Sequence, residues 1–313
     1  MSSMTETIVD NVAHARAKPV LSVLTPFKDD DPTELLAALE TEARHLAGSV
    51  ELVLLDDGSS DTTLGERVAE AIWAMTLPVR LVRLSQNEGR ALGRNRLAAH
   101  ARGSTFLFLD ADMRPDDERF LRAWADLVAM RDPPVAFGGF SLKQAPSDPK
   151  FAVHRAMAQR GECLSYDVRA RQPEKYVFTS NLLVRRDAFE AEDFSSEFRG
   201  WGWEDVEWGM RIARRYTVLH VDNPATHLGL DTVATLAGKY EQSVDNFARV
   251  VRSHPEVVAT YPSYRAARAL KRTPALPLWR GLFKRMALLG LLPTAARAFS
   301  LRLYRAALYA EAV

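Results

Sequence analysis

The chain has 313 residues, 47% of them hydrophobic and 26% charged, the proportions of a globular protein able to bury a sizeable core. A single cysteine, Cys163, excludes a disulfide framework and a cysteine-based zinc site and fits a reducing compartment. The net charge of +1 gives no reason to expect nucleic acid as a partner. It also hides an asymmetry: from Val257 to Ala310 there is no Asp or Glu, but there are ten Lys and Arg residues.

The N-terminal "MSSMTETIVDNVAHARAKP" lacks the apolar core of a signal peptide and reads as a frayed leader or short helix, residues 1–18. No stretch reaches the ~20 apolar residues of a membrane span. "VLSVLTPF" (20–27) reads as a buried strand, and "PTELLAALETEARHL" follows with helical spacing. "VELVLLDDGSSD" is a strand running into a polar turn, and "TTLGERVAEAIWAM" a helix capped by Ser60 or Asp61. "VRLVRLS", "GRALGRNRLAAHA" and "STFLFLDAD" continue as strand, helix and strand. This alternation predicts an α/β fold with a mostly parallel central sheet flanked by helices. The pattern then loosens: a helix over 116–130, a strand at "PVAFGGF", helix around 149–165, a strand at "KYVFTSNLLVRR", a helix at "EDVEWGMRIARRY", and short strands in "TVLHVDNPATHLG". From Thr232 onward the pattern is helical, broken by prolines at 255, 262, 274, 277 and 293.

In parallel sheets, ligands bind at the carboxyl ends of the strands, and polar residues collect there. Asp110 and Asp112 flank Ala111 just after "TFLFL". Two carboxylates so placed suit a hard cation, Mn²⁺ or Mg²⁺, that takes its other ligands from phosphate and water; the plain structural reading is a solvated turn. Asp57 ends the second strand and is either a turn residue or a hydrogen-bond acceptor for a base or sugar. Arg94, in a glycine-bearing segment that departs from the dinucleotide fingerprint, is a partner for a phosphate or for the carboxylates. His227 follows "DNPAT" at a strand end. "GWGWEDVEWGMR" (200–211) carries Trp201, Trp203 and Trp208, two glycines and two adjacent acids, Glu204 and Asp205. Tryptophan faces stack on sugar rings, and Gly200 and Gly202 let the backbone turn tightly. Trp208, four residues after Glu204, reads as core.

These segments resemble, in order, the inverting glycosyltransferases of family two. "SVLTPF", "ELVLLDDGSSD", "NEGRALGRNRLAAHARGSTFLFLDADMRPD", "FTSNLLVRRDAF", "GWGWEDVEWGMR" and "PATHLG" carry the likeness over residues 19–230. The Gly-Trp-Gly-x-Glu-Asp stretch is most similar to galactosyltransferase and chondroitin-polymerase domains, although Trp203 stands where a smaller residue is common. The resemblance implies a GT-A fold, the nucleotide-diphospho-sugar transferase fold, over residues 19–231. Residues 19–115 would form its nucleotide half and 116–231 its acceptor half, with a helical basic extension at 232–313.

The resemblance further implies that Thr25, Pro26 and Phe27 lie along the base, Asp57 binds uracil, and Arg94 supports the nucleotide site. Asp110, before Ala111, would face the ribose, Asp112 and His227 would hold the metal, and Asn181 would contact the donor. Asp205 would be the catalytic base with Glu204 beside it on a sugar, and Trp201, Gly202 and Trp203 would meet the acceptor. The implied activity is metal-dependent transfer of a sugar from a UDP-sugar to a glycan or lipid-linked hydroxyl, in polysaccharide or glycoconjugate synthesis. A sugar nucleotidyltransferase and a catalytically silent carbohydrate-binding protein remain the alternatives. The implied location is cytoplasmic. "LWRGLFKRMALLGLL" and "ARAFSLRLYRAAL" leave two readings of the tail open: a solvated helical cap, or a peripheral contact with an anionic membrane, where each cation contributes ~1 kcal/mol.

Overall fold

A computed structural model of the chain describes residues 5–44, 46 and 48–313. Its first strand, β1 (Glu6–Asp10), corrects the expectation of a frayed leader or short helix. It pairs antiparallel with residues 80–84, from Glu6 opposite Leu84 to Asp10 opposite Arg80. An edge strand needs a partner on one side only, and these side chains are exposed or half-buried, so no apolar run announced it. The first four residues of the expected leader, and His45 at the end of the expected first helix, lie outside the described residues.

The alternation then runs as read: β2 (Leu21–Phe27), α1 (Thr33–Ala43), β3 (Val50–Asp56), α2 (Thr62–Trp73), β4 (Val79–Leu84), α3 (Arg90–His100) and β5 (Thr105–Phe108). β4, β3, β2 and β5 are mutually parallel neighbours. Leu52, Val53, Leu54 and Leu55 are fully buried, as a parallel strand covered on both faces requires. Asp61 caps α2, its side chain accepting from the Thr63 amide.

Past β5 the chain forms β6 (Met113–Pro115), α4 (Phe120–Arg131), β7 (Val135–Phe137), β8 (Phe140–Ser141), α5 (Ala152–Gly161), α6 (Tyr166–Arg169), β9 (Leu182–Arg185), α7 (Arg186–Ala191), α8 (Glu204–Ile212), β10 (Val218–His220) and β11 (Ala225–His227). The strand expected across "KYVFTSNLLVRR" is only β9, because residues 173–176 and 179–181 are single 3₁₀ turns. β9 runs antiparallel between β5 and β7. The large sheet has the order β1-β4-β3-β2-β5-β9-β7-β10, and β6-β11-β8 form a second, small sheet.

The C-terminal helices are α9 (Val233–Gln242), α10 (Val244–Ser253), α11 (Pro255–Val258), α12 (Pro262–Leu270), α13 (Leu276–Leu288) and α14 (Thr294–Tyr309). Pro255, Pro262 and Pro277 sit in the first turns of α11, α12 and α13, where the missing N–H costs nothing. One continuous apolar cluster joins Val53 and Phe137 of the sheet to Trp208 of α8 and to Phe247, Leu301 and Tyr309 of these helices. The helical region therefore shares the core of the sheet.

Asn11 fastens β1 to this frame. Its buried amide donates to the carbonyls of Ile72, Met75 and Leu77, and its oxygen accepts the amides of His14 and Val79. Asn11→Ala leaves several of these groups unpaired away from water. It should lower unfolding free energy by at least about 2 kcal/mol in a denaturant titration; an unchanged midpoint would mean that the N-terminal segment is not part of the fold.

Candidate active site

Two arginines one turn apart on α3 organise the carboxyl ends of the strands. Arg94, 1% exposed, donates through Nη2 to Asp110 Oδ1 at 2.8 Å and places Nη1 3.8 Å from Glu204 Oε1. Arg90 Nε donates to the same Glu204 oxygen at 2.6 Å, and its Nη2 lies 3.6 Å from Asp110 Oδ2. Ser180 Oγ donates to Asp110 Oδ2 at 2.7 Å. Burial disfavours a charged Asp110, but Arg94, Arg90 and Ser180 outweigh it and hold the carboxyl below its ordinary range.

Asp112 and His227 meet through the small sheet. β11 runs antiparallel to β6 with His227 opposite Met113, and the Leu228 amide donates to the Asp112 carbonyl. His227 Nε2 thereby lies 3.1 Å from Asp112 Oδ2. A Cβ on Gly229 would fall on Asp112 Oδ2, so a larger residue there would push this carboxylate out of its place beside His227. Burial lowers the basicity of His227, but the hydrogen bond its ring donates to the Asp112 carboxylate, with the charge of that carboxylate, outweighs it and leaves the imidazole pKa raised. Among the described residues no three His, Cys, Asp or Glu side chains converge on one point. An oxygen and an imidazole nitrogen this close fit a cation with two protein ligands whose others come from a diphosphate and water.

Both groups face a cavity of about 320 Å³. Its other walls are the GWGWED segment, Phe140 and Phe178, and Tyr240, Arg305 and Tyr309 from the C-terminal helices. Gly200, Gly202 and Trp203 all have positive φ, +73°, +87° and +77°, a double turn that glycine makes at no cost and tryptophan does not. Trp203 is held there by Phe247, 4.9 Å between ring centres, and by a 2.9 Å hydrogen bond from its Nε1 to Tyr309 Oη. α8 starts immediately afterwards and delivers Asp205 to the cavity wall. Desolvation, and then the charge of Glu204, push Asp205 up to about 7 against the opposing pull of Arg90 and Arg94.

The sequence-derived residues divide accordingly. Asp110, Asp112, His227, Glu204, Asp205, Trp201, Gly202 and Trp203 line one cavity. Of the two readings of Arg94 the structure has it as partner of the carboxylates, while Glu204, expected on a sugar, is tied to the arginines. Two other expectations are corrected. Asn181 is fully buried and donates to the carbonyls of Gly139 and Asn223; its neighbour Ser180 is the one on the wall. Thr25 and Phe27 point into the core, leaving Pro26 as the half-buried member of that trio. Ala111 is half-buried and lines a neighbouring groove with Asp30 and Asp31. Asp57 accepts from the Asn87 side chain and from the Glu88 and Gly89 amides at 2.7, 2.8 and 3.1 Å, and so shapes the loop before α3. Trp208 is core, as read, its indole donating to the Glu192 carbonyl.

Several wall residues were missed. Arg90 could have been found from its spacing of one turn before Arg94. Arg305 and Tyr309, likewise one turn apart on α14, lie in a tail with no motif to flag them. Arg305 makes no ion pair among the described residues and rests over the Tyr240 ring at 5.1 Å. A larger open groove along α1 and α4, about 1000 Å³, contains none of the candidate residues.

The sequence pattern described as Glycosyl transferase family 2 matches residues 22–192, more than half of the chain. The chain belongs to this family. It is a glycosyltransferase with a GT-A fold, which replaces the nucleotidyltransferase and silent-binding readings. The mannosyltransferase PcManGT from Pyrobaculum calidifontis, solved with GDP-Man and Mn²⁺, is similar with a TM-score of 0.60 and 18% identity, over 97% of this chain and 90% of that one. S. aureus TarS 1–349 in complex with UDP-GlcNAc is similar with a TM-score of 0.50 and 17% identity, over 91% and 89%. At these identities the likeness is one of fold. Curated protein sequences gave no significant match.

The Asp112–His227 pair generates a metal-binding prediction with a defined pH sign. A raised imidazole pKa means that His227 carries a proton at low pH, and a cation binds only the neutral ring. Mn²⁺ binding to the free glycosyltransferase, measured by calorimetry, should therefore strengthen as pH rises from about 6 to about 8. His227→Ala should weaken binding and remove the pH dependence, and Asp112→Ala should abolish binding. Wild-type affinity in both variants would remove the pair from the metal site.

Proposed function

We propose that the glycosyltransferase transfers a sugar with inversion from a UDP-sugar to a hydroxyl of a glycan or lipid-linked acceptor. The reaction would belong to polysaccharide or glycoconjugate synthesis. The observation that carries the reading is Asp205, a carboxyl with its pKa near 7, on the wall of the same cavity as the Asp112–His227 pair. The catalytic unit would be residues 19–231 together with the helices of 232–313, since Tyr309 and Arg305 complete the cavity. The likeness of "GWGWED" to galactosyltransferase and chondroitin-polymerase segments supports a hexose donor. Uracil is favoured by Asp57: its three N–H donors leave one of the roughly four lone-pair sites of a carboxylate for an imide N–H.

The Val206 amide donates to Asp205 Oδ1 at 2.8 Å and orients the carboxylate, leaving Oδ2 for the acceptor hydroxyl. As the acceptor oxygen attacks the anomeric carbon, its proton passes to Asp205. The bond from that carbon to the diphosphate oxygen breaks with its electron pair, and attack from the opposite face turns an α-linked donor into a β-linked product. A divalent cation, Mn²⁺ or Mg²⁺, held by Asp112 and His227 would offset the charge developing on the diphosphate. Trp201 and Trp203 offer apolar faces to the acceptor ring. A lipid-linked acceptor places the protein on the cytoplasmic face of a membrane, held peripherally by its C-terminal helices. Among the described residues no helix is long and apolar enough to cross one.

Asp205 acts as base only when deprotonated, so kcat/KM should rise with pH through about 7. Asp205→Asn should retain donor binding, lose ~10² to 10⁴ in turnover and lose that limb of the profile. Glu204→Gln weakens the hold of Arg90 and Arg94 on α8 and should reduce turnover and thermal stability together. The assignment reverses if Asp205→Asn turns over normally and Glu204→Gln, folded as stably as wild type, does not.

A further inference from the structure

Fourteen large hydrophobic side chains are exposed among the described residues, and eight of them fall between Leu278 and Phe299. Leu278, Leu282 and Met286 recur at intervals of four, which puts them on one stripe of α13, and Leu289 follows as its C-cap. Trp279 borders the stripe, and Leu291, in the turn to α14, is 91% exposed. The opposite side of α13 packs inward through Phe283 and Ala287. A surface helix ordinarily keeps one apolar face and turns it to the core; α13 has a second, facing out, with Phe299 of α14 beside it. An uncovered patch of this kind marks an interaction surface.

We propose that this face of α13, with the α13–α14 turn and Phe299, is a membrane-docking surface that inserts into an anionic lipid leaflet; the proposal rests on the reading of the chain as a transferase acting on a lipid-linked acceptor. Charge selects the occupant. Arg285 lies within the stripe, and Arg302 follows Phe299 by three residues; both are exposed and make no ion pair among the described residues. No acid occurs from Val257 to Ala310. A second copy would set cations against cations, whereas an anionic leaflet neutralises them. Indole and arginine are suited to the headgroup level, with the arginine stems running along the apolar surface to reach it.

Electrostatic attraction is weaker than the ten basic residues suggest. Arg280 pairs with Glu311 and Lys284 with Glu241, Lys271 donates to the Val313 carbonyl, and Arg305 lines the cavity. Apolar insertion therefore holds the protein more than charge does, and salt should weaken docking without abolishing it. α14 carries Phe299 and Arg302 on the docking side, and Arg305 and Tyr309 on the cavity. The same helix therefore contributes to both the exposed apolar face and the cavity wall.

The test is flotation of the full chain with phosphatidylcholine vesicles, with and without phosphatidylglycerol, at low and high salt. Sedimentation velocity and metal-dependent hydrolysis of UDP-sugars without vesicles run in parallel. Wild type should float with anionic vesicles and retain part of its binding in high salt. Leu282→Glu/Leu289→Glu should lower partitioning at least about tenfold while donor hydrolysis in solution is unchanged. Wild type failing to float with anionic vesicles overturns the proposal. So does a concentration-dependent dimer that the double variant converts to monomer, because the occupant is then a second copy. Hydrolysis is scored without lipid, so failure of the transferase reading shows there and leaves flotation to judge the surface.

Discussion

The site depends on one buried electrostatic knot. Arg94 is withdrawn from water, and a buried guanidinium is tolerated only with its partners in place. Those partners come from two distant parts of the chain: Asp110 at the end of β5 and Glu204 at the start of α8. Arg90, at the more exposed edge, touches the same two carboxylates. The four side chains fix where α8 begins relative to the sheet, and α8 carries Asp205. Asp110 in turn sits two residues before Asp112, whose carboxylate meets His227 across the small sheet. The two halves of the chemistry are thus referred to a common frame.

The C-terminal helices are a second support of equal weight. Trp203 occupies left-handed backbone space at φ +77°, a conformation that costs roughly 1–3 kcal/mol and persists only when its surroundings over-determine it. Phe247 and Tyr309 grip the indole, and Tyr309 Oη also bonds Ser243 Oγ. Asn246 donates to the carbonyls of Arg199 and Gly202. The turn that launches α8 is therefore held by α10 and α14, which lie beyond the end of the family match at residue 192.

How much of this was legible in the sequence follows from range. The parallel strands announced themselves because burial on both faces demands continuous apolar runs, as in Val50–Asp56. The convergence of Asp112, His227 and Asp205 on one cavity was legible because they sit in short motifs at strand ends or a helix start. β1 was not, since an edge strand with outward side chains leaves no apolar signature. The roles of Asn181, Thr25 and Phe27 were misjudged for a related reason. A motif fixes a position along the chain, while burial decides which way the side chain points: Asn181 turned inward to two carbonyls and left Ser180 on the wall. Arg305 and Tyr309 join the site only through tertiary packing, which no local pattern encodes.

The knot also differentiates the two adjacent acids, Glu204 and Asp205. Glu204 is paired with Arg90 at 2.6 Å and approached by Arg94, so its charge is compensated where it stands. Asp205 points about 100° away around the helix and has no cation within ion-pair distance among the described residues. It loses water on entering the cavity wall, and it feels the charge of Glu204, which those same arginines stabilise. Desolvation and then that neighbouring charge raise Asp205 to about 7. Neighbouring titratable groups whose environments differ in this way take different tasks. Those same arginines pull Asp205 downward, so its raised pKa comes chiefly from burial in the cavity wall, and what the arginines contribute is the fixed start of α8.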